Sequence, residues 1–411
     1  MSKLYRTVVL FVLAMLIASC AAPVTDQPVP SLVPEAQIAR YPRADNYRHL
    51  NVYSSPPVYN PDVMDSFQMD LRSSNLTELD LSKSKADLLH AIFDSKTKWP
   101  ESGKMPADFA WQKIMEIGKD PGLGVRALHE QGITGNGVNI AMIDQPLIID
   151  HVEYPDRIRL YEEISIGPGT PSQMHGPAVT SIAVGNTAGV APDANLYYIA
   201  TWMFEPSDSG DNTTYKYYVQ AIRRIVEINK GLSDNQKIRA VSMSVGLTPT
   251  ATDYEEFLSA IEEAKAAGIF ALHVGLEQTY GWSYLGLGRE PLSDPNDFQS
   301  YEPAAWWEQS FYESGFPQDT LLIPMDARTT ASPTGKEDYV FYSHGGMSWT
   351  VPYLAGMYAL AAQVKPDITP DVFWETALQT GRTIQIQQEG KEYDFGVILD
   401  PQALIEAIKN K

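Results

Sequence analysis

The sequence predicts an α/β fold, a mostly parallel central sheet with helices on both faces, and three observations carry that expectation. Short apolar runs, Val138 to Ile143, Leu196 to Ala200, Ala240 to Val245 and Ile269 to Val274, are bounded by glycine or polar residues, as strands buried on both faces read. Between them, apolar residues recur at helical spacing: Tyr218, Ile222, Ile225 and Val226, then Phe257, Leu258, Ile261 and Ala264. Finally, 411 residues with 44% hydrophobic and 20% charged side chains are enough for one large domain with a substantial core.

At the amino terminus, Lys3 and Arg6 precede an apolar run from Val8 to Ala18, too short to cross a bilayer comfortably and flanked as an export signal is. Ile17-Ala18-Ser19-Cys20 resembles the lipobox of bacterial lipoproteins, so residues 1–19 are expected to be a signal peptide and Cys20 the lipidated mature terminus. The alternative is a plain secretory signal with an incidental cysteine. Cys20 is the only cysteine, which leaves no intrachain disulfide, and an unmodified thiol on an exported protein is an oxidation liability. The expected location is the extracytoplasmic face of a bacterial membrane, held there by two or more acyl chains.

Residues 20–63, with Pro28, Pro30, Pro34 and Pro42, read as an extended tether. Residues 64–105 carry Leu71, Leu76, Leu79, Leu81, Leu88 and Leu89 and read as a short propiece or, better, a belt packed on the main domain. That domain is expected over 106–411. Near its end, Thr369-Pro370 followed by Val372, Phe373 and Leu378 forms a capped helix that stops at Gly381. The formal charge of −20 excludes a nucleic-acid partner, because an acidic surface gains nothing from counterion release.

Three segments offer the groups that a serine nucleophile needs: a base, an acid to orient that base, and donors for an oxyanion. Asp144 ends the run Val138 to Ile143. His175 opens the helical stretch His175-Gly176-Pro177-Ala178-Val179-Thr180. Ser348 stands in Gly346-Met347-Ser348-Trp349-Thr350-Val351-Pro352. In α/β sheets, sites form where strands end at their carboxyl side.

These blocks, in the order Asp, His, Ser, resemble the motifs of the subtilisin-like serine peptidases, the subtilase family. The resemblance extends over most of Pro106 to Ala407 and includes Ser242-Met243-Ser244-Val245-Gly246 and the closing segment Tyr393 to Ile398. It implies a three-layer subtilisin-like fold and serine endopeptidase activity on extracytoplasmic proteins or peptides through an acyl-enzyme. Ser348 would be the nucleophile, His175 the general base and Asp144 its orienting acid, while Ser244, Val245 and Gly246 would pair with an extended substrate.

The chain departs from the family at Gln145-Pro146, Pro177 and Met347. It also departs in the oxyanion region, where Gly275-Leu276 replaces glycine-asparagine and leucine donates no hydrogen bond. Another donor, from the insertion after Glu277 or a backbone N–H beside Leu276, is expected to complete the hole. A pseudopeptidase kept for binding is the rival reading, and a solute-binding lipoprotein with two similar lobes a weaker one.

The insertion 278–319 carries Tyr280, Trp282, Tyr284, Trp306, Trp307, Phe311 and Tyr312, which line a specificity cleft for apolar or basic side chains or else pack as a capping subdomain. His273 and His344 read as structural. Asp150, His151 and Glu153 lack zinc spacing, so no metal site is expected and no cofactor is required. A structural calcium fits the resemblance, but no loop carries its ligand spacing. The expected partner is a peptide or protein substrate, and the chain reads as a monomer.

Overall fold

The computed structural model describes residues 36–47, 52–63, 65–205, 212–315 and 319–411. The signal segment, Cys20 and the beginning of the tether lie outside the described residues.

The centre is a six-stranded sheet of β1 (Gln37–Ile38), β2 (Asn139–Asp144), β3 (Ile158–Glu163), β4 (Asn195–Ala200), β5 (Ile238–Met243) and β6 (Phe270–His273). Their order is β1-β3-β4-β2-β5-β6, and every pairing is parallel. The pleat explains the composition of β2, which is buried over its whole length. Ile140 and Met142 point to one face and join Val179 and Ile182. Ala141 and Ile143 point to the other and join Ile222, Ile225, Phe257 and Ile261.

Helices Lys216–Gly231 and Tyr254–Ala266 cover that second face, while His175–Val184 and Met347–Val364 cover the first. The result is the expected three-layer α/β fold around one central sheet, not the two similar lobes of a solute-binding lipoprotein. The helix Pro370–Thr380 starts as its sequence demands, with Thr369 Oγ1 accepting from the Val372 N–H and Gly381 just past its end.

Two regions show more than the sequence did. The insertion 278–319 packs on the core and shares a sheet with it. Its strand Tyr284–Arg289 pairs in parallel with Leu321–Pro324, which in turn pairs with Lys391–Ile398 in a second, five-stranded sheet. Its aromatic residues mostly serve that junction: Trp282 stacks on Trp374 at 4.9 Å, and Trp307 and Phe311 are buried against Phe395.

The tether also ends sooner than residue 63. From Ala36, β1 adds to the edge of β3, and Arg40 makes a forked contact with Glu163 at 2.6 and 2.8 Å. An uncovered β3 would present unpaired backbone groups, and the forked arginine fixes the covering segment in register. Further on, Leu71, Leu76, Leu81, Leu88 and Phe93 are fully buried with Ile114 and Phe341. Phe93–Asp94 adds an antiparallel strand beside Tyr339–Tyr342.

Candidate active site

Asp144 is the last residue of β2 and is 2% exposed. Its Oδ1 accepts the Gln145 N–H at 2.8 Å and lies 2.7 Å from His175 Nδ1. What brings the two elements this close is Gly176: a Cβ there would stand 2.2 Å from the Gln145 carbonyl oxygen. Only glycine lets a helix begin against the strand end in this way. Tyr198 donates its hydroxyl to the same carbonyl, and the His175 N–H reaches Gln145 Oε1 at 3.3 Å.

Burial acts to lower the His175 pKa, but the charge of Asp144 and the hydrogen bond to it act oppositely and win, so the imidazole is held above the ordinary histidine range. The carboxylate selects the tautomer with the proton on Nδ1 and leaves Nε2 as a base. The imidazole is 20% exposed, with its ring 5.4 Å from that of Trp349.

Ser348 is the second residue of the helix Met347–Val364, which follows the extended Gly346. The first-turn N–H groups of such a helix have no carbonyl of their own helix to bond, and they favour negative charge nearby. Pro352 lies four residues on and has no N–H, so the Ser348 carbonyl loses its helical donor. Ser244 supplies a replacement: its Oγ donates to the Ser348 carbonyl at 2.8 Å.

The Ser348 hydroxyl makes a long contact, 3.5 Å, to the Ser244 carbonyl, and among the described residues no hydrogen bond joins it to His175. Catalytic contacts in ligand-free sites are often long and tighten with substrate. The two helices that carry His175 and Ser348 meet at Gly356, where a Cβ would stand 2.6 Å from Val190 Cβ and 3.2 Å from the Ala183 carbonyl oxygen.

Ser244, Val245 and Gly246 continue from β5. The Val245 carbonyl accepts from the Val274 N–H at 3.0 Å, and the Gly246 carbonyl is taken by the Tyr215 hydroxyl at 2.7 Å. In the oxyanion region, the Gly275 N–H donates to His273 Nδ1 at 3.0 Å, and Leu276 is fully buried in the main core. Leu276 therefore serves packing. Gln278, the first residue of the insertion, was not singled out by sequence. Its Oε1 lies 2.8 Å from where a Gly275 Cβ would stand, so its carboxamide folds over Gly275. The legible signal was a glutamine three residues after the glycine, one helical turn away.

His273, buried and bonded to Thr279 Oγ1 at 2.9 Å, is pushed down to about 4 by burial and is structural. His344 is likewise pushed to about 4, and its Nε2 lies 3.1 Å from His90 Nδ1. Asp150 pairs with Lys336, His151 bonds the Asp338 carbonyl, and Glu153 accepts from Thr187, Ala188 and Tyr339. Among the described residues, no three acidic, histidine or cysteine side chains converge as a metal site.

The model of the subtilase family matches residues 135–275, a stretch that holds Asp144, His175 and Ser244 to Gly246 and stops one residue before Leu276. Subtilisin-like protease 2 of Arthroderma otae is 34% identical over 140 residues, which is 34% of this chain and 30% of that protein. Subtilisin-like protease PopC of Myxococcus xanthus is 34% identical over 85 residues, 18% of each chain. The chain thus spans under a third of the length of these relatives. Among solved structures, the prenylagaramide maturation protease PagA aligns with a TM-score of 0.48 at 15% identity, covering 70% of this chain and 99% of that one. The PatG macrocyclase domain aligns with a TM-score of 0.46 at 13% identity, covering 70% and 95%.

Proposed function

We propose that this chain, which matches the subtilase family over residues 135–275, is a serine endopeptidase that cleaves extracytoplasmic proteins or peptides, with Asp144, His175 and Ser348 as its triad. One observation carries the reading: the 2.7 Å contact between Asp144 and His175 sits beside the helix whose second residue is Ser348 and whose third, Trp349, sets its ring 5.4 Å from the imidazole. In this mechanism, His175 Nε2 takes the proton from Ser348 Oγ as the oxygen attacks the peptide carbonyl, and Asp144 stabilises the imidazolium that forms. His175 then returns the proton to the leaving amine, and water repeats the cycle on the acyl-enzyme.

The Ser348 N–H supplies one oxyanion donor from the helix start, and we assign a second to the Gln278 carboxamide in place of the absent asparagine. Substrate pairs in extended form with Ser244 to Gly246. Export and lipidation at Cys20 would place the enzyme on the outer face of a bacterial membrane.

A second reading, a subtilase-fold binding protein without turnover, is favoured by the burial of Leu276 and by the contact of Ser348 Oγ with Ser244. Labelling the form that starts after Cys20 with a fluorophosphonate separates the two. Label lost in Ser348→Ala and His175→Ala establishes an activated serine; a folded parent that takes no label supports the binding protein.

A further inference from the structure

Beside the loop that leads to Ser348 lies a cavity of about 130 Å³, lined by Tyr59, Asp65, Trp306, Asp326, His344 and Gly345 among others. Gly345 precedes Ser348 by three residues, so its backbone lies within roughly 10 Å of the nucleophile. The walls come from distant parts of the chain: Tyr59 and Asp65 near the start of the belt, Trp306 of the insertion, Asp326 just after the strand Leu321–Pro324, and His344 and Gly345 of the loop before Ser348. All six of these residues fall outside the family-matched stretch.

The chemistry of these walls is consistent. Trp306 is 46% exposed, so part of its ring is open to a partner. Tyr59 stacks on His90 at 3.8 Å, and His90 in turn stacks on His344 at 5.3 Å, which holds the Tyr59 ring at the rim. Asp326 is 6% exposed; its Oδ1 accepts the Gly345 N–H at 2.6 Å, while its Oδ2 has no hydrogen-bond partner among the described residues. A buried carboxyl with a vacant oxygen, two aromatic rings and the exposed carboxylate of Asp65 form a surface that attracts a cation through both ion pairing and ring faces. His344, neutral at ordinary pH, adds no opposing charge.

We propose that this cavity is a specificity pocket for a basic side chain, lysine or arginine, of a substrate residue within three positions of the cleaved bond. The inference rests on the peptidase reading for the word substrate, but the pocket's binding chemistry does not. Burial pushes the Asp326 carboxyl up to about 8, against the hydrogen bond from the Gly345 N–H and the charge of Arg289, with Glu302 adding to the rise. An entering cation replaces the missing hydration and favours the ionised carboxylate. The chain's net charge of −20 favours the approach of basic peptides to the protein as a whole.

The test uses the form starting after Cys20 in two arms. In the first, the Ser348→Ala variant is titrated calorimetrically with a neutral hexapeptide series in which one lysine, or its uncharged isostere norleucine, is moved along the chain. The expected result is at least tenfold tighter binding of lysine over norleucine at one position. That ratio falls to within twofold in Asp326→Asn and at least threefold in Asp65→Asn, which keeps the test available should the buried variant not fold. Equal affinity at every position, or a ratio unchanged in Asp65→Asn and in folded Asp326→Asn, overturns the proposal. In the second arm, the parent is given the same peptides and kcat/KM is compared. Binding selectivity without hydrolysis or fluorophosphonate labelling overturns the peptidase reading and leaves the pocket standing; hydrolysis without lysine preference does the reverse.

Discussion

The Ser244 hydroxyl donates to the Ser348 carbonyl at 2.8 Å, the acceptor that Pro352 leaves without a helical N–H. A structural necessity of the helix thereby ties the Ser348 backbone to the end of β5, on the strand that would receive substrate. Ser244→Ala removes the donor and leaves the carbonyl half-buried. We expect a loss of about 1–3 kcal/mol in denaturant unfolding and slower fluorophosphonate labelling. Ser244→Thr, which keeps a hydroxyl, should recover most of the labelling rate.

The raised His175 pKa has a definite sign in activity. The imidazole must be neutral to act as base, so kcat/KM should rise with pH through a midpoint above the ordinary histidine value. Asp144→Asn removes the charge and leaves burial as the main influence, so the midpoint should move to lower pH while kcat falls by roughly 10⁴. A midpoint that stays in place would show that Asp144 does not set it. In stability, the ion pair contributes fully below the unfolded histidine pKa, and its contribution is lost as pH rises through the folded value.

Gly176→Ala forces a methyl group into the Gln145 carbonyl, 2.2 Å away. The expected cost is about 1–3 kcal/mol in thermal or denaturant unfolding. Because the strain falls between Asp144 and His175, kcat should fall more than stability alone explains when measured well below the unfolding midpoint.

Leu276→Asn would restore the family's asparagine, yet the side chain at this position points into the core. We expect destabilisation by about 2–5 kcal/mol and no gain in turnover. Gln278→Ala is the productive counterpart: kcat should drop roughly tenfold to a hundredfold with KM little changed, the signature of a donor that acts in the transition state.

Much of this arrangement was legible because the central strands are buried on both faces and therefore read as unbroken apolar runs. The strand Ile158–Glu163 was not read: Arg159, Glu162 and Glu163 interrupt it, since it lies near the sheet's edge, where Arg40 and Arg224 pair with those carboxylates. Tyr284–Arg289 was hidden by Gly286 and Gly288, poor strand formers whose missing side chains make room for Met325 and Pro303. Asp144, His175 and Ser348 stood out through their local blocks. The contact of His90 with His344 and the assembly of Tyr59, Trp306 and Asp326 join residues with no shared local pattern, and only the fold brings them together.

Phe93 pairs through its backbone with Phe341 and buries its ring beside it, while the exposed turn at Ser102 and Gly103 is the chain's route from that strand to the main domain. A protease that nicks this turn would therefore release nothing. The two fragments would remain one particle, joined by a shared sheet and a shared apolar core, migrating as two bands only after denaturation. Maturation by a single cut there would change the number of polypeptides without changing the surface that a substrate meets.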